Sequence, residues 1–101
     1  MKINFDISKI KFDLHCEKYD FLLGKIDGTD GNDIYPGIDV PCKADKVWRF
    51  WLLFENEDGS SHTEKWDLSD KEKEYIQKKA KEYLTANGYT YYNRHFVYRR
   101  L

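Results

Sequence analysis

The sequence is poor in the features that most readily betray a function. No apolar run approaches the roughly 20 residues of a membrane-spanning helix, which argues against a spanning segment. The opening residues Met1-Lys2-Ile3-Asn4-Phe5-Asp6 carry neither a long apolar stretch nor a small-residue cleavage site, so no secretory leader is expected. Two cysteines, Cys16 and Cys42, are too few for a disulfide framework and read as free thiols in a reducing cytoplasm. Neither charge sign is in excess: 17 Lys and Arg stand against 18 Asp and Glu, a net charge of −1, which argues against a surface that grips phosphate all round. Internal repeats and low-complexity segments are absent.

Signatures of chemistry are equally scarce. Neither CxxC nor HxxxH occurs among His15, Cys16, Cys42, His62 and His95, and adjacent strand residues such as His15 and Cys16 point to opposite faces. Gly24, Gly28 and Gly31 form no phosphate-cradling loop. Asp27, Asp30 and Asp33 fail the calcium-loop register, because Thr29, Gly31 and Asn32 fill its third, fifth and sixth positions. Cys42 and His95 are the remaining candidates for a small active site, yet no nucleophile signature surrounds Cys42. Glu55 and Glu64 could face each other across a strand pair, an arrangement more often a solvated ladder than an acid–base couple. Expected accordingly are no enzyme, no cofactor and no metal.

What is present is aromatic. Of 101 residues 17% are Phe, Trp or Tyr, too many for a disordered chain, and the length suits one domain with one modest core. Ile3, Phe5 and Ile7 alternate with polar residues, as do Ile10, Phe12 and Leu14, but the two runs are out of phase. A β-bulge or tight turn near Ser8-Lys9 would absorb the slip within a β region. Residues 19–26 form a further strand. Residues 27–45, with five Asp and one Lys and with Pro36-Gly37 and Pro41, read as a long acidic loop. Residues 46–55 (KVWRFWLLFE) are apolar on both faces and belong centrally in a sheet. A two-residue Asp58-Gly59 turn would pair Glu55 with His62, Leu53 with Glu64 and Trp51 with Trp66. Ser69 and Glu72 form a capping box at the start of a helix over about 69–86, closed by Asn87-Gly88, with Ile76, Ala80, Tyr83 and Leu84 as its apolar stripe. Residues 89–100 (YTYYNRHFVYRR) read as one last strand.

The order β-β-β-loop-β-β-α-β predicts an α+β domain spanning 1–101: an antiparallel sheet of about five to six strands, the helix on one face and the other largely bare. Charge is mildly bipolar, acidic over residues 1–45 and basic over 46–101. These features point to a small binding protein that masks another macromolecule's surface, in the manner of a toxin-immunity or phage anti-defence inhibitor. The expected contacts are the acidic loop (Asp27, Asp30, Asp33, Asp39), meeting a partner with a basic surface, and an aromatic and basic surface (Trp51, Trp66, Tyr92, Arg94, Tyr98, Arg100). The alternative is a nucleic-acid-binding module in which Tyr92, Arg94, Phe96, Tyr98 and Arg100 share one face of the last strand. An exposed edge at 89–100 could also pair with its own copy.

Overall fold

The computed structural model describes residues 6–10, 12, 20–24, 26–27, 33–43 and 46–98. The first two alternating runs otherwise fall largely outside them. Between those runs, Ile7–Lys9 is a single 3₁₀ turn rather than a strand, so the tight-turn option holds there. Asp6 caps it, its carboxylate accepting from the Ser8 amide (3.0 Å) and hydroxyl (2.6 Å).

The main sheet is antiparallel and four strands wide. Its edge strand is split into β1 (Asp20–Leu22) and β2 (Ile26–Asp27), both paired with β3 (Asp33–Asp39). β4 (Arg49–Glu55) lies between β3 and β5 (Ser61–Lys65), central as its two-sided apolarity requires.

β3 corrects the sequence-level loop over 27–45. Pro36-Gly37 does not punctuate the chain there; it lies in mid-strand, with seven residues of β3 paired to β4. A central strand tolerates proline only where no ladder donor is needed. The Pro36 carbonyl accepts from the Leu23 amide (2.8 Å), so the proline's missing N–H faces the edge strand. That is where the edge strand breaks. Leu22 pairs Gly37 and Ile26 pairs Ile34, so the edge takes one residue more than β3 over this stretch, a bulge. Gly24 within it stands at φ 137°, a conformation that favours glycine.

The β4–β5 connection corrects a second expectation. The Gly59 amide donates to the Asn56 carbonyl (3.0 Å), the Asn56 amide donates to the Ser60 carbonyl (2.8 Å), and Gly59 stands at φ 86°. This is a three-residue loop with glycine in the left-handed position. It shifts the register by one: Trp51 pairs Lys65, Leu53 pairs Thr63 and Glu55 pairs Ser61. A one-residue slip turns every side chain of β5 over. Trp66 therefore lies on the opposite face from Trp51, and Glu64, opposite Leu52, does not face Glu55.

Helix α1 (Asp70–Ala86) starts and stops as its sequence requires. Ser69 and Glu72 exchange both capping-box hydrogen bonds (3.2 and 2.9 Å), and Gly88 follows the helix at φ 92°. Ile76, Ala80 and Leu84 are buried from it against Phe21, Ile38, Leu52, Phe54 and Trp66 of the sheet. Phe12 stacks on Tyr83 and meets Phe21 edge-on, closing one flank of this core. No helix among the described residues is long and apolar enough to cross a membrane.

The last segment is not one strand but a hairpin, β6 (Tyr89–Tyr92) and β7 (His95–Tyr98), forming a second two-stranded sheet. Asn93 and Arg94 make its turn, both at positive φ (52° and 70°), which matches the twist of a tight hairpin. Asn enters this conformation readily, but Arg does so at a cost, so the sequence carries none of the usual glycine signal. The hairpin docks through buried Tyr89 and Phe96. The Phe96 amide donates to the Pro41 carbonyl (2.9 Å), Trp48 meets Phe96 edge-on, and Lys81 Nζ of α1 sits 4.2 Å from the centre of the Tyr91 ring.

Candidate interaction face

Directly paired residues of an antiparallel sheet share a face. On one face lie Phe21, Ile34, Pro36, Ile38, Phe50, Leu52 and Phe54, covered by α1. The opposite face presents Leu22 from β1, Tyr35, Gly37 and Asp39 from β3, and Arg49, Trp51, Leu53 and Glu55 from β4, with Thr63 and Lys65 from β5. Among the described residues, the helix, the hairpin and the 3₁₀ turn make their aromatic and apolar contacts with the first face, and the second is left open by them. On the second, Tyr35, Trp51 and Leu53 are half-buried and Leu22 is 44% exposed.

Trp51 is the fixed point of this face. Its indole lies across Gly37, its direct partner on β3, so closely that a Cβ built on Gly37 would overlap the ring. Its Nε1–H donates to Asp39 Oδ1 at 2.8 Å, a charge-assisted bond that holds the ring in place. Glycine is needed here because of the indole, while Asp39 settles which way the ring points. An apolar patch results, with Trp51 and Leu53 at its centre, Tyr35 and Leu22 beside them, and charged residues at both ends. From Arg49 and Lys65 near Trp51, a groove of about 730 Å³ runs round the sheet edge to Lys73, whose Nζ is 5.9 Å from the Phe50 ring centre.

The expected contact residues divide by location. Asp33 and Asp39 lie at opposite ends of β3 on the open face, not in a loop. Asp27 is in β2 beside Asp33, and Asp30 lies outside the described residues. Trp51 is on the open face, whereas Trp66 is 2% exposed and belongs to the core. Tyr92 is 70% and Tyr98 57% exposed, Arg94 is at the hairpin tip, and Arg100 lies outside the described residues. The proposed common face of Tyr92, Arg94, Phe96 and Tyr98 does not exist. The hairpin turn places Tyr89, Tyr91, Phe96 and Tyr98 on one side and Thr90, Tyr92, His95 and Val97 on the other, with Phe96 buried. The 89–98 segment is likewise no single long edge for pairing with a second copy.

Comparisons with protein-family models, with curated proteins and with solved structures found no match to this chain.

The candidate chemistry groups are scattered. Cys42 is a half-buried free thiol, and Cys16 and His15 lie outside the described residues. His62 stacks flat on Phe54 with its Nε2 3.2 Å from Glu64, and His95 Nδ1 lies 3.0 Å from the Asn93 carbonyl oxygen. Among the described residues no three His, Cys, Asp or Glu side chains converge as a metal site. Sequence reasoning missed Leu22, Tyr35, Gly37 and Arg49 as members of the open face. The signal was the alternation Asp33-Ile34-Tyr35-Pro36-Gly37-Ile38-Asp39, masked by a Pro-Gly pair that reads as a turn.

Proposed function

We propose that this protein is a non-enzymatic binding domain that acts by occupying the surface of a partner protein, using the open face of its main sheet. The observation that carries this reading is the pinned Trp51 indole, which lies across Gly37 and is held by Asp39 beside half-buried Leu53 and Tyr35. A large aromatic fixed before binding loses little entropy on docking, and Trp, Tyr and Arg are the side chains that dominate protein interfaces. Charged residues at both ends of the patch supply a polar rim around an apolar centre. A stoichiometric inhibitor of the immunity or anti-defence type is the role this architecture suits, because masking needs a rigid surface and no chemistry.

The nucleic-acid alternative rested on aromatic and Arg side chains sharing one strand face, and the hairpin separates them. Capture from cell lysate on the immobilised protein, with and without nuclease, tests the choice. One protein retained in stoichiometric amount after nuclease and at moderate salt is the expected result. Retention of only nucleic-acid-associated proteins, all lost with nuclease, would refute it.

A further inference from the structure

β5 is an outer strand of the main sheet, and among the described residues no strand pairs with its far side. The alternation of hydrogen bonds fixes which of its backbone groups face outward. The Asn56 amide donates to the Ser60 carbonyl at one end of the β4–β5 ladder, and the Trp66 amide donates to the Phe50 carbonyl (3.3 Å) at the other. Every second residue between them points its N–H and C=O at β4, which assigns His62 and Glu64 to the ladder and turns Ser61 and Thr63 outward. Both outward residues are exposed. An edge of this kind is blunted by proline, a bulge or charge, and β5 has only charge, since it pairs with β4 without interruption from Ser61 to Lys65.

Those charges match themselves. Turned end for end about Thr63, the strand SHTEK sets Thr63 opposite Thr63, His62 opposite Glu64 and Ser61 opposite Lys65, so no like charges oppose each other. Within one chain His62 Nε2 already lies 3.2 Å from Glu64 Oε2. Two such pairs side by side close an alternating square, in which each imidazole has one carboxylate along its own strand and a second across the gap. Centring the pair on His62 or on Glu64 instead sets like groups opposite each other. Acidic residues beyond the two ends of the strand (Glu57 and Asp58, Asp67) disfavour any longer pairing.

We infer that a second copy of this chain pairs with β5 edge to edge. The two strands run antiparallel about a two-fold axis at Thr63, whose N–H and C=O exchange two hydrogen bonds with those of its counterpart, and the two sheets merge into one of twice the width. One short strand a side is far below the roughly 20–30 residues of a stable interface, so the dimer is weak and concentration-dependent. The axis is perpendicular to the sheet, so the open faces of the two copies lie side by side on one continuous surface. The pairing uses the edge of the sheet and not its open face, and it stands or falls independently of the proposed function.

The test is analytical ultracentrifugation of the parent, of Thr63→Pro, of His62→Lys and of His62→Glu. Circular dichroism first establishes that each variant is folded. The parent is expected to pass from monomer to dimer as concentration rises from micromolar towards millimolar. Proline at position 63 removes an N–H that β4 does not use, so Thr63→Pro is expected to keep the fold and dimerise about tenfold or more weakly. Both His62 variants lose the stack on Phe54, but lysine keeps a cation opposite Glu64 whereas glutamate gathers four carboxylates. His62→Lys is expected to dimerise at least as well as the parent, and His62→Glu about tenfold or more weakly. Should Thr63→Pro fail to fold, the two His62 variants decide. A parent monomeric throughout would overturn the inference. So would a folded Thr63→Pro that dimerises as the parent does, or His62→Glu dimerising as well as His62→Lys. If lysate capture succeeds while the parent stays monomeric, the proposed function stands and this inference falls.

Discussion

Replacing Gly37 by alanine should act on the protein through Trp51 alone. Gly37 lies in mid-strand, and its φ is not in the left-handed region that glycine alone favours. For a residue whose backbone fits either amino acid, alanine would be expected to stabilise by about 0.4–1 kcal/mol, because it restricts the unfolded chain. Here the added methyl would occupy the place of the indole. The ring must swing off the strand, breaking its 2.8 Å bond to Asp39 and exposing the apolar surface now shared with Gly37. A hydrogen bond to a charged group contributes about 1.5–3 kcal/mol, which outweighs the gain in the unfolded state. Gly37→Ala is therefore expected to lose about 1–2 kcal/mol in urea unfolding followed by circular dichroism. A double-mutant cycle isolates the cause. In a Trp51→Ala background the methyl meets no ring, and Gly37→Ala should become neutral or stabilising. Equal destabilisation in both backgrounds would refute the argument, and so would a Gly37→Ala protein at least as stable as its parent.

Two further outcomes follow from local geometry. Arg94 holds φ 70° in the β6–β7 turn, so Arg94→Gly should raise stability by about 1 kcal/mol, read as a higher urea midpoint at unchanged slope. The exposed Asp58 carboxylate accepts from the Ser60 hydroxyl (2.5 Å) and amide (2.9 Å), and the hydroxyl bond chiefly holds its pKa below the ordinary carboxylate value. A carboxylate with a lowered folded-state pKa stabilises above its unfolded value, near 4, and loses that contribution as pH falls through the lowered value. The stability advantage of the parent over Asp58→Ala should thus be full at pH 7 and shrink below about pH 4, as urea titrations at the two pH values would show.

How far the sequence predicts this fold depends on where the deciding interaction lies. Helix α1 was legible to its caps, because Ser69, Glu72 and Gly88 act within one turn of their own positions. The central place of β4 was legible from its two apolar faces. β3 was not, because Pro36 and Gly37 are turn residues by local chemistry and strand residues by tertiary context. The bulge opposite Pro36 removes the need for its N–H, and the Trp51 indole fills the space over Gly37. The β4–β5 register failed by a single residue, since Asp58-Gly59 is compatible with both two- and three-residue loops, and that residue decided which tryptophan entered the core. The C-terminal hairpin was hidden by a turn with Arg94 in place of glycine. The candidate site inherits these errors. Trp51 was legible as a candidate and the structure places it on the open face, but the face around it exists only once β3 lies beside β4 in the observed register.

Whether the Trp51–Leu53 face or the exposed hairpin is the contact surface is decided by repeating lysate capture with two folded variants in parallel. Leu53→Lys places a charge in the middle of the open face, and Tyr92→Lys places one on the outer side of the hairpin. The retained partner is expected to be lost with Leu53→Lys and kept with Tyr92→Lys. Retention by Leu53→Lys and loss with Tyr92→Lys would contradict it and move the contact surface to the hairpin.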